Sequence, residues 1–510
     1  MSAPAGSFAA GARPYLLAFA AGAAAVAGFG DWPLFPLPLA AVAVLFWLWL
    51  RAPSPRSAAW LGFAFGAGLF LVGVSWIYVS LHRFGGMPAV LAGVATLFFC
   101  CAYNGAFPAA VGYLQARLAI APAARLMLAI PALWVLAEWV RTALFPWLVL
   151  GYSQLDGPLA GYAPLIGVFG VSFLTAVIAG ALVTLAARRS RTRLVALGAA
   201  VAIVAAGGAL RTIDWTTPYG EPLVVGLLQG NIPQDLKFVQ ERYPATLATY
   251  ARLAESSGAR LIVLPEIAIP RFLDQIEPAF LDQLARRVTA RAGDVLVGVP
   301  VLDRDGRYYN AVVSLGASPQ QAYKKSHLVP FGEFLPPGFG WVVTVLKIPL
   351  GEFARGPEDQ KPLAVAGQRV ALDICYEDAY GAEIIRPLPE ATLLVNVSNV
   401  AWFGDSLAPA QHLRISRMRA LETGRYMLRA TNTGVTAIVD PAGAVVGRLP
   451  SFTEGTLQGN VRGRAGATAY VVLGNYPVLL ACLAIAAASV WTGRRERTKP
   501  RAGAGFRAGA

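Results

Sequence analysis

Glu266, Lys325 and Cys375 are three residues that together could break and remake an acyl bond. Each stands in a short pattern: Leu264-Pro265-Glu266, Tyr323-Lys324-Lys325-Ser326-His327 and Asp373-Ile374-Cys375-Tyr376-Glu377. A thiol becomes a good nucleophile beside a base or a positive charge. A carboxylate can take its proton, and a lysine can stabilise a developing oxyanion. The set suffices for acyl transfer through a thioester. Taken singly, each residue has a blander reading. A cysteine after a buried strand fills the core, a glutamate there caps or meets solvent, and Lys325 beside Lys324 is solvated. Three such patterns in one domain, in this order, weigh against that. His327 and His412 raise a Cys–His pair or a metal site, but two histidines without a Cys/His cluster argue against a metal. His327 is expected to orient the Lys325 loop, and His412 to lie on a helix face. No phosphate-cradling loop or dinucleotide fingerprint is present.

The surrounding pattern shows what would hold these groups. Residues 220–465 alternate β-rich runs with helical ones. Strands are expected at 223–229, 261–264, 295–301, 310–315, 370–375, 393–397, 435–439, 444–449 and 456–461. Helices are expected near 239–257, 276–292 and 408–424. Several strands are continuous apolar runs, which implies burial on both faces and helices on both sides of a sheet. Residues 333–358 are too apolar for a solvated loop and too broken by Gly and Pro for a core helix. They read either as a loop tucked under the core or as a lid dipping into a bilayer interface.

Composition then separates this unit from the rest. Of 510 residues, 56% are hydrophobic and only 14% charged, against about 25% charged in ordinary soluble domains. Apolar stretches run at roughly 14–30, 33–50, 57–81, 88–115, 124–143, 161–187 and 193–210, with an eighth at 470–492. Most approach the ~20 residues that cross a bilayer. The expected fold is therefore a polytopic helical membrane bundle of eight transmembrane helices plus an α/β domain. The divisions are 1–210 with seven helices, 211–469 catalytic, 470–492 the last helix and 493–510 a basic tail.

The net charge of +14 raises nucleic acid as a partner, but the distribution excludes it. Arg13, Arg51, Arg56, Arg117, Arg125, Arg188, Arg189, Arg191, Arg193 and the tail from Arg494 flank alternate ends of the apolar segments. His82, Arg83 and Arg141 are the sparse counterparts. This asymmetry places both termini in the cytoplasm and 211–469 outside. Anionic lipid is the expected partner of the remaining basic residues. Glu138, Trp139 and Arg141 near a helix end read as an interfacial anchor or as a contact to lipid head groups or to the catalytic domain. Cys375 is the only cysteine in the soluble part, so that part is no disulfide scaffold.

At its three motifs the chain resembles the nitrilase, or carbon–nitrogen hydrolase, superfamily. It resembles more narrowly the apolipoprotein N-acyltransferase family. That likeness rests on Gln229-Gly230-Asn231-Ile232-Pro233-Gln234, the 327–333 stretch and Ser398-Asn399-Val400-Ala401-Trp402-Phe403-Gly404. It extends to Thr431-Asn432-Thr433-Gly434, Phe145-Pro146-Trp147 and Gly151-Tyr152-Ser153-Gln154. The resemblance implies a nitrilase-like αββα sandwich with Glu266 as general base, Lys325 as oxyanion stabiliser and Cys375 as nucleophile. It implies Glu333 and Glu377 as further functional carboxylates, with Tyr376, Trp402, Phe238 and Trp147 in supporting or substrate-binding positions. It implies transfer of an acyl chain from a phospholipid, through a thioester, to the α-amino group of the diacylglyceryl-cysteine of apolipoproteins. This would occur at the bacterial inner membrane with the catalytic domain periplasmic, in a monomer without a soluble cofactor. Phe238, where a tryptophan is expected, and Val400, where a polar residue is expected, depart from the pattern. A membrane-anchored amidase acting on small amides and a catalytically silent scaffold are the competing readings.

Overall fold

The computed structural model describes residues 11–32, 34–187, 191–335 and 353–498. Most of the apolar 333–358 segment lies outside the described residues.

Among the described residues, six helices are long and apolar enough to cross a membrane: Pro55–Val74, Ala89–Ala116, Pro122–Thr142, Pro158–Ala186, Arg191–Leu210 and Tyr476–Arg495. This corrects the expectation of eight transmembrane helices. The first two apolar stretches form shorter helices, Arg13–Phe29 and Pro36–Arg51. At 1.5 Å per residue, the 16 residues of Pro36–Arg51 reach about 24 Å, short of the ~30 Å hydrocarbon core. The loss of length begins at the break around Asp31 and Trp32. Helix geometry there ends at Gly30 and restarts at Pro36, whose fixed φ suits a first turn.

The strands form two six-stranded sheets that stay unclosed, in place of the expected nitrilase-like αββα sandwich. The first has the order β12 (Gly455–Ala465), β1 (Thr217–Gln229), β2 (Leu261–Val263), β3 (Asp294–Leu302), β4 (Tyr308–Gly316), β5 (Ala322–Lys324). The second has the order β11 (Val445–Arg448), β10 (Ala437–Val439), β9 (Met427–Thr431), β8 (Leu393–Ser398), β7 (Gln368–Ile374), β6 (Leu363–Val365). Among the described residues, no ladder joins one sheet's edge to the other's, so the sheets stay open there. Three of those four edge strands, β5, β6 and β11, are only three or four residues long, which limits what another strand could pair with. Strands β1, β2 and β3 run parallel, as do β7, β8 and β9. Strands β2, β8 and β9 are buried throughout, as continuous apolar runs require.

One apolar cluster contains Leu223, Val225, Leu261 and Val263 of the first sheet together with Leu372, Ile374, Val395 and Leu428 of the second. Helices Tyr243–Glu255 and Pro278–Thr289 pack on the first sheet through Tyr250, Leu253, Phe280 and Leu284. Helix Ala408–Thr423 packs on the second through Leu413 and Ala420. That last helix also ties the sheets to the membrane helices. Arg414 donates to the carbonyls of Gly30 (2.7 Å), Trp32 (3.1 Å) and Tyr152 (3.3 Å) and to Asp156 (2.7 Å). Arg417 donates to the other oxygen of Asp156 at 2.6 Å. Gln411 donates to the Gly73 carbonyl (2.9 Å) and accepts from Trp76 Nε1 (3.1 Å). Glu422 accepts from the Val168 amide at 2.7 Å.

Candidate active site

Glu266 follows β2, Lys325 follows β5 and Cys375 follows β7, so each motif sits at a strand end. The first two come from one sheet and the third from the other. Cys375 has φ +59°, a left-handed conformation uncommon outside glycine and concentrated where structure over-determines the backbone. Two donors hold it: Asn396 Nδ2 (2.9 Å) and His412 Nε2 (3.2 Å) both reach the Cys375 carbonyl. Behind them, His412 Nε2 lies 2.8 Å from Asp378 Oδ1, and Asp378 Oδ2 accepts from Ser416 Oγ at 2.5 Å and Arg429 Nη1 at 3.3 Å. Burial and the Arg429 charge lower the His412 pKa. His412 is therefore a neutral support of the turn, on a helix face as expected.

Glu266 is almost fully buried, and both its oxygens are engaged. Oε1 accepts from Asn310 Nδ2 (2.7 Å) and Lys325 Nζ (3.4 Å), and Oε2 accepts from the Asn399 amide (2.8 Å). Lys325 also donates to Glu333 Oε1 at 2.9 Å. Glu333 is fixed in turn by Asn310 Nδ2 (3.1 Å) and the Val329 amide (2.8 Å). Burial works against the Lys325 ammonium, but the charges of Glu333 and Glu266 outweigh it and hold its pKa well above the usual range. The Cys375 thiol is pushed up by burial and by Glu266, with Lys325 opposing. The resting pair is thus a thiol facing a lysinium–carboxylate cluster rather than a standing thiolate.

Glu377 joins the two loops. Its Oε1 accepts from the amides of Ser326 (2.8 Å) and His327 (2.9 Å) and from Ser326 Oγ (3.0 Å). Its Oε2 accepts from the Ile374 amide (2.7 Å) and Tyr323 OH (3.0 Å). The carboxylate thereby clips the Lys325 loop to the Cys375 turn, although burial raises its pKa. Tyr376 OH lies 2.6 Å from Tyr380 OH, and its ring stacks on Trp147 at 6.4 Å. Trp147 also packs on His412 at 5.3 Å. Arg141 braces the loop carrying Trp147 by donating to the carbonyls of Phe145 (2.9 Å) and Trp147 (2.7 Å), while Glu138 accepts from the Leu150 amide (2.8 Å). The two ionisable residues thus order a loop that touches the catalytic half, and Trp139 stays exposed.

Glu333 and Glu377 join Glu266, Lys325 and Cys375 in one cluster, and Tyr376 and Trp147 adjoin it. Phe238 and Trp402 are not drawn in. Phe238 is 62% exposed. Trp402 is half-exposed, accepts at its carbonyl from Ser80 Oγ (2.8 Å) and meets Phe84 edge-on at 5.8 Å. Val400 is buried, with its Cγ2 packed over Gly434.

Reading the residues by type passed over four of these groups. Asn310 is a lone amide in the apolar run of β4, a visible signal. Asn399 and Gln234 stand in quoted motifs and Lys237 precedes Phe238, but nothing in residue type alone showed their task. Gln234 Oε1 accepts from Asn399 Nδ2 at 2.7 Å. Lys237 Nζ donates to the main-chain carbonyl of Glu266 at 3.1 Å, and burial lowers its pKa to about 8 despite the nearby Glu266 and Cys375. Among the described residues, no cluster of His, Cys, Asp and Glu could hold a metal ion.

Residues 21–181 match the family model described as apolipoprotein N-acyltransferase N-terminal domain, and residues 224–470 match carbon–nitrogen hydrolase. The chain is 49% identical to the apolipoprotein N-acyltransferase of Nitrosomonas europaea, over 94% of this chain and 98% of that one. It is 46% identical to that of Ralstonia nicotianae, over 91% and 90%. A solved carbon–nitrogen hydrolase from Helicobacter pylori G27 aligns at 17% identity over 54% of this chain and 95% of that one, with a TM-score of 0.34. That value is too low to bear on the site.

Proposed function

This chain belongs to the apolipoprotein N-acyltransferase family, and from that premise we propose how its site transfers a fatty acyl chain from a membrane phospholipid to an apolipoprotein amine. The protein is a multi-pass membrane enzyme, an N-acyltransferase of the nitrilase superfamily that works through a cysteine intermediate. The observation that carries the residue assignment is the buried Lys325 ammonium shared between Glu266 and Glu333 beside the strained Cys375 turn.

In the donor half, Glu266 takes the Cys375 thiol proton as sulfur attacks the ester carbonyl of the phospholipid. Lys325 and neighbouring donors stabilise the oxyanion. The carbon–oxygen bond to glycerol breaks, Glu266 returns the proton to the departing oxygen, and a lysophospholipid leaves. In the acceptor half, the α-amino group of a diacylglyceryl-cysteine attacks the thioester. Glu266 takes a proton from nitrogen and gives it to the Cys375 sulfur as the carbon–sulfur bond breaks. Glu333 holds Lys325, Glu377 holds the two loops in register, and Tyr376, stacked on Trp147, lines the approach. Phe238 and Trp402, exposed at loops flanking the site, are suited to apolar contact with a lipid substrate.

The basic residues between alternate helices support an orientation with Arg51, Arg56, Arg117 and Arg125 in the cytoplasm. Residues 211–469 then form a periplasmic catalytic unit at the inner membrane, carried by 1–210 and 470–492, with one chain holding the complete set of groups.

Mass spectrometry of protein incubated with phospholipid tests the nucleophile. Wild type should carry an acyl adduct that hydroxylamine removes, and Cys375→Ala should carry none. An adduct persisting on the variant would sink the assignment.

A further inference from the structure

The acceptor half-reaction has a proton that the donor half does not. In the donor half, one proton moves from Cys375 to Glu266 to the leaving hydroxyl, and none is exported. An α-amine with a pKa of about 7.7–8.0 arrives mostly as ammonium. It must lose one proton to expose its lone pair and a second once the carbon–nitrogen bond forms. Glu266 handles the second, which ends on the Cys375 sulfur. The first must leave the pocket, and Lys325, held protonated by its carboxylates, has no lone pair to accept it.

A chain of groups leads outward from the residue next to Cys375. Tyr376 OH lies 2.6 Å from Tyr380 OH and 3.5 Å from His327 Nε2. The His327 ring stacks on Tyr380 with centroids 3.8 Å apart. His327 Nδ1 is 2.9 Å from Glu383 Oε1. An ionised carboxylate only accepts, so Nδ1 carries the hydrogen and the Nε2 lone pair faces Tyr376. The His327 side chain is 25% exposed and Tyr376 is buried, so the chain runs from the pocket to solvent.

Resting on the acyl-transfer reading above, we propose that His327, backed by Glu383, exports the ammonium proton of the incoming amine through the Tyr376 and Tyr380 hydroxyls. The ammonium N–H bond breaks and its proton passes to a tyrosine oxygen. That hydroxyl gives its own proton to His327 Nε2, and the imidazolium releases it to water. Burial raises the pKa of both tyrosines, so they pass the proton as neutral hydroxyls.

Other charged groups face this chain without replacing it. Lys325, Glu333 and Glu383 act on Tyr376. Glu377 binds the His327 backbone amide rather than its ring. Arg386 pairs with Glu358 at 3.2 Å.

The test uses the full chain in lipid vesicles, loaded with labelled phospholipid and then chased with a diacylated lipopeptide or with hydroxylamine. His327→Asn keeps a donor for Glu383 and removes the relay. Thioester formation should be unchanged, and so should release by hydroxylamine, which is already unprotonated at neutral pH. Lipopeptide acylation at pH 7 should fall by about tenfold or more and recover as pH rises above about 8, where the amine sheds its proton to bulk water. Glu383→Gln should show the same pattern, more weakly. An equal loss in all three steps would assign His327 a structural role and overturn the proposal, as would undiminished lipopeptide acylation at pH 7. A wild-type protein that takes no acyl chain overturns the acyl-transfer reading and this relay with it.

Discussion

Two buried lysines approach Glu266 from different loops, and the structure treats them oppositely. Lys325, after β5, meets the carboxylates of Glu333 and Glu266 at 2.9 and 3.4 Å. Lys237, in the loop after β1, meets, among the described residues, only the main-chain carbonyl of Glu266, at 3.1 Å. They are buried alike, at 1% and 3% exposure. Yet one is held well above the ordinary lysine pKa and the other falls to about 8. Depth therefore does not decide the charge of a buried amine here. A carboxylate within hydrogen-bond reach does, because it offsets a desolvation penalty that a neutral carbonyl leaves standing. Only Lys325 is fit to stabilise an oxyanion at every working pH.

Removing Lys325 should have the largest effect. Lys325→Met should slow thioester formation by about 10²–10³ and destabilise the fold by about 3–5 kcal/mol, since two buried carboxylates lose their cation. Stopped-time mass spectrometry and thermal denaturation read the two effects, and a rate within tenfold of wild type breaks the contrast. Glu333→Gln comes next, because it makes Lys325 resemble Lys237. The Lys325 pKa should fall, so the alkaline limb of the pH–rate profile should move to lower pH, with a loss of about tenfold near neutrality. An unmoved limb would mean that Glu266 alone keeps Lys325 charged.

Lys237→Met should change least in rate, by less than about tenfold, and should raise the apparent melting temperature at pH 7. The folded Lys237 pKa of about 8 lies below the model-peptide 10.5. The unfolded chain therefore binds more protons between those values, and wild-type stability should rise with pH across that window. The variant should lack that rise. A variant that melts lower at pH 7 would show that the Glu266 carbonyl contact outweighs the cost of burying the amine.

Of the three strands that carry the site, β2 and β7 were legible as largely apolar runs, at the expected 261–264 and 370–375. The expected 295–301 and 393–397 correspond to β3 and β8. Strands β5, β6 and β9 were not assigned: two have three residues, and β9 carries the buried Arg429, whose partners lie far along the chain. Helix Ala408–Thr423 was expected at 408–424 and is closed by Gly424 in a left-handed cap. The two short apolar helices looked like spans because hydropathy registers composition better than the helix end at Gly30 and the restart at Pro36. At the site, Glu266, Lys325, Cys375, Glu333 and Glu377 stood out by type and motif. Lys237 and Asn399 did not, because their function depends on a carbonyl and on a main-chain amide, which every residue possesses.

Helix Ala408–Thr423 bears His412 and Ser416 under the Cys375 turn and, around its girth, Gln411, Arg414 and Arg417 bonded to the membrane helices. A single helix thus links the turn of the nucleophile to the membrane helices. A displacement of the bundle is therefore passed to the turn that holds the sulfur through this one helix.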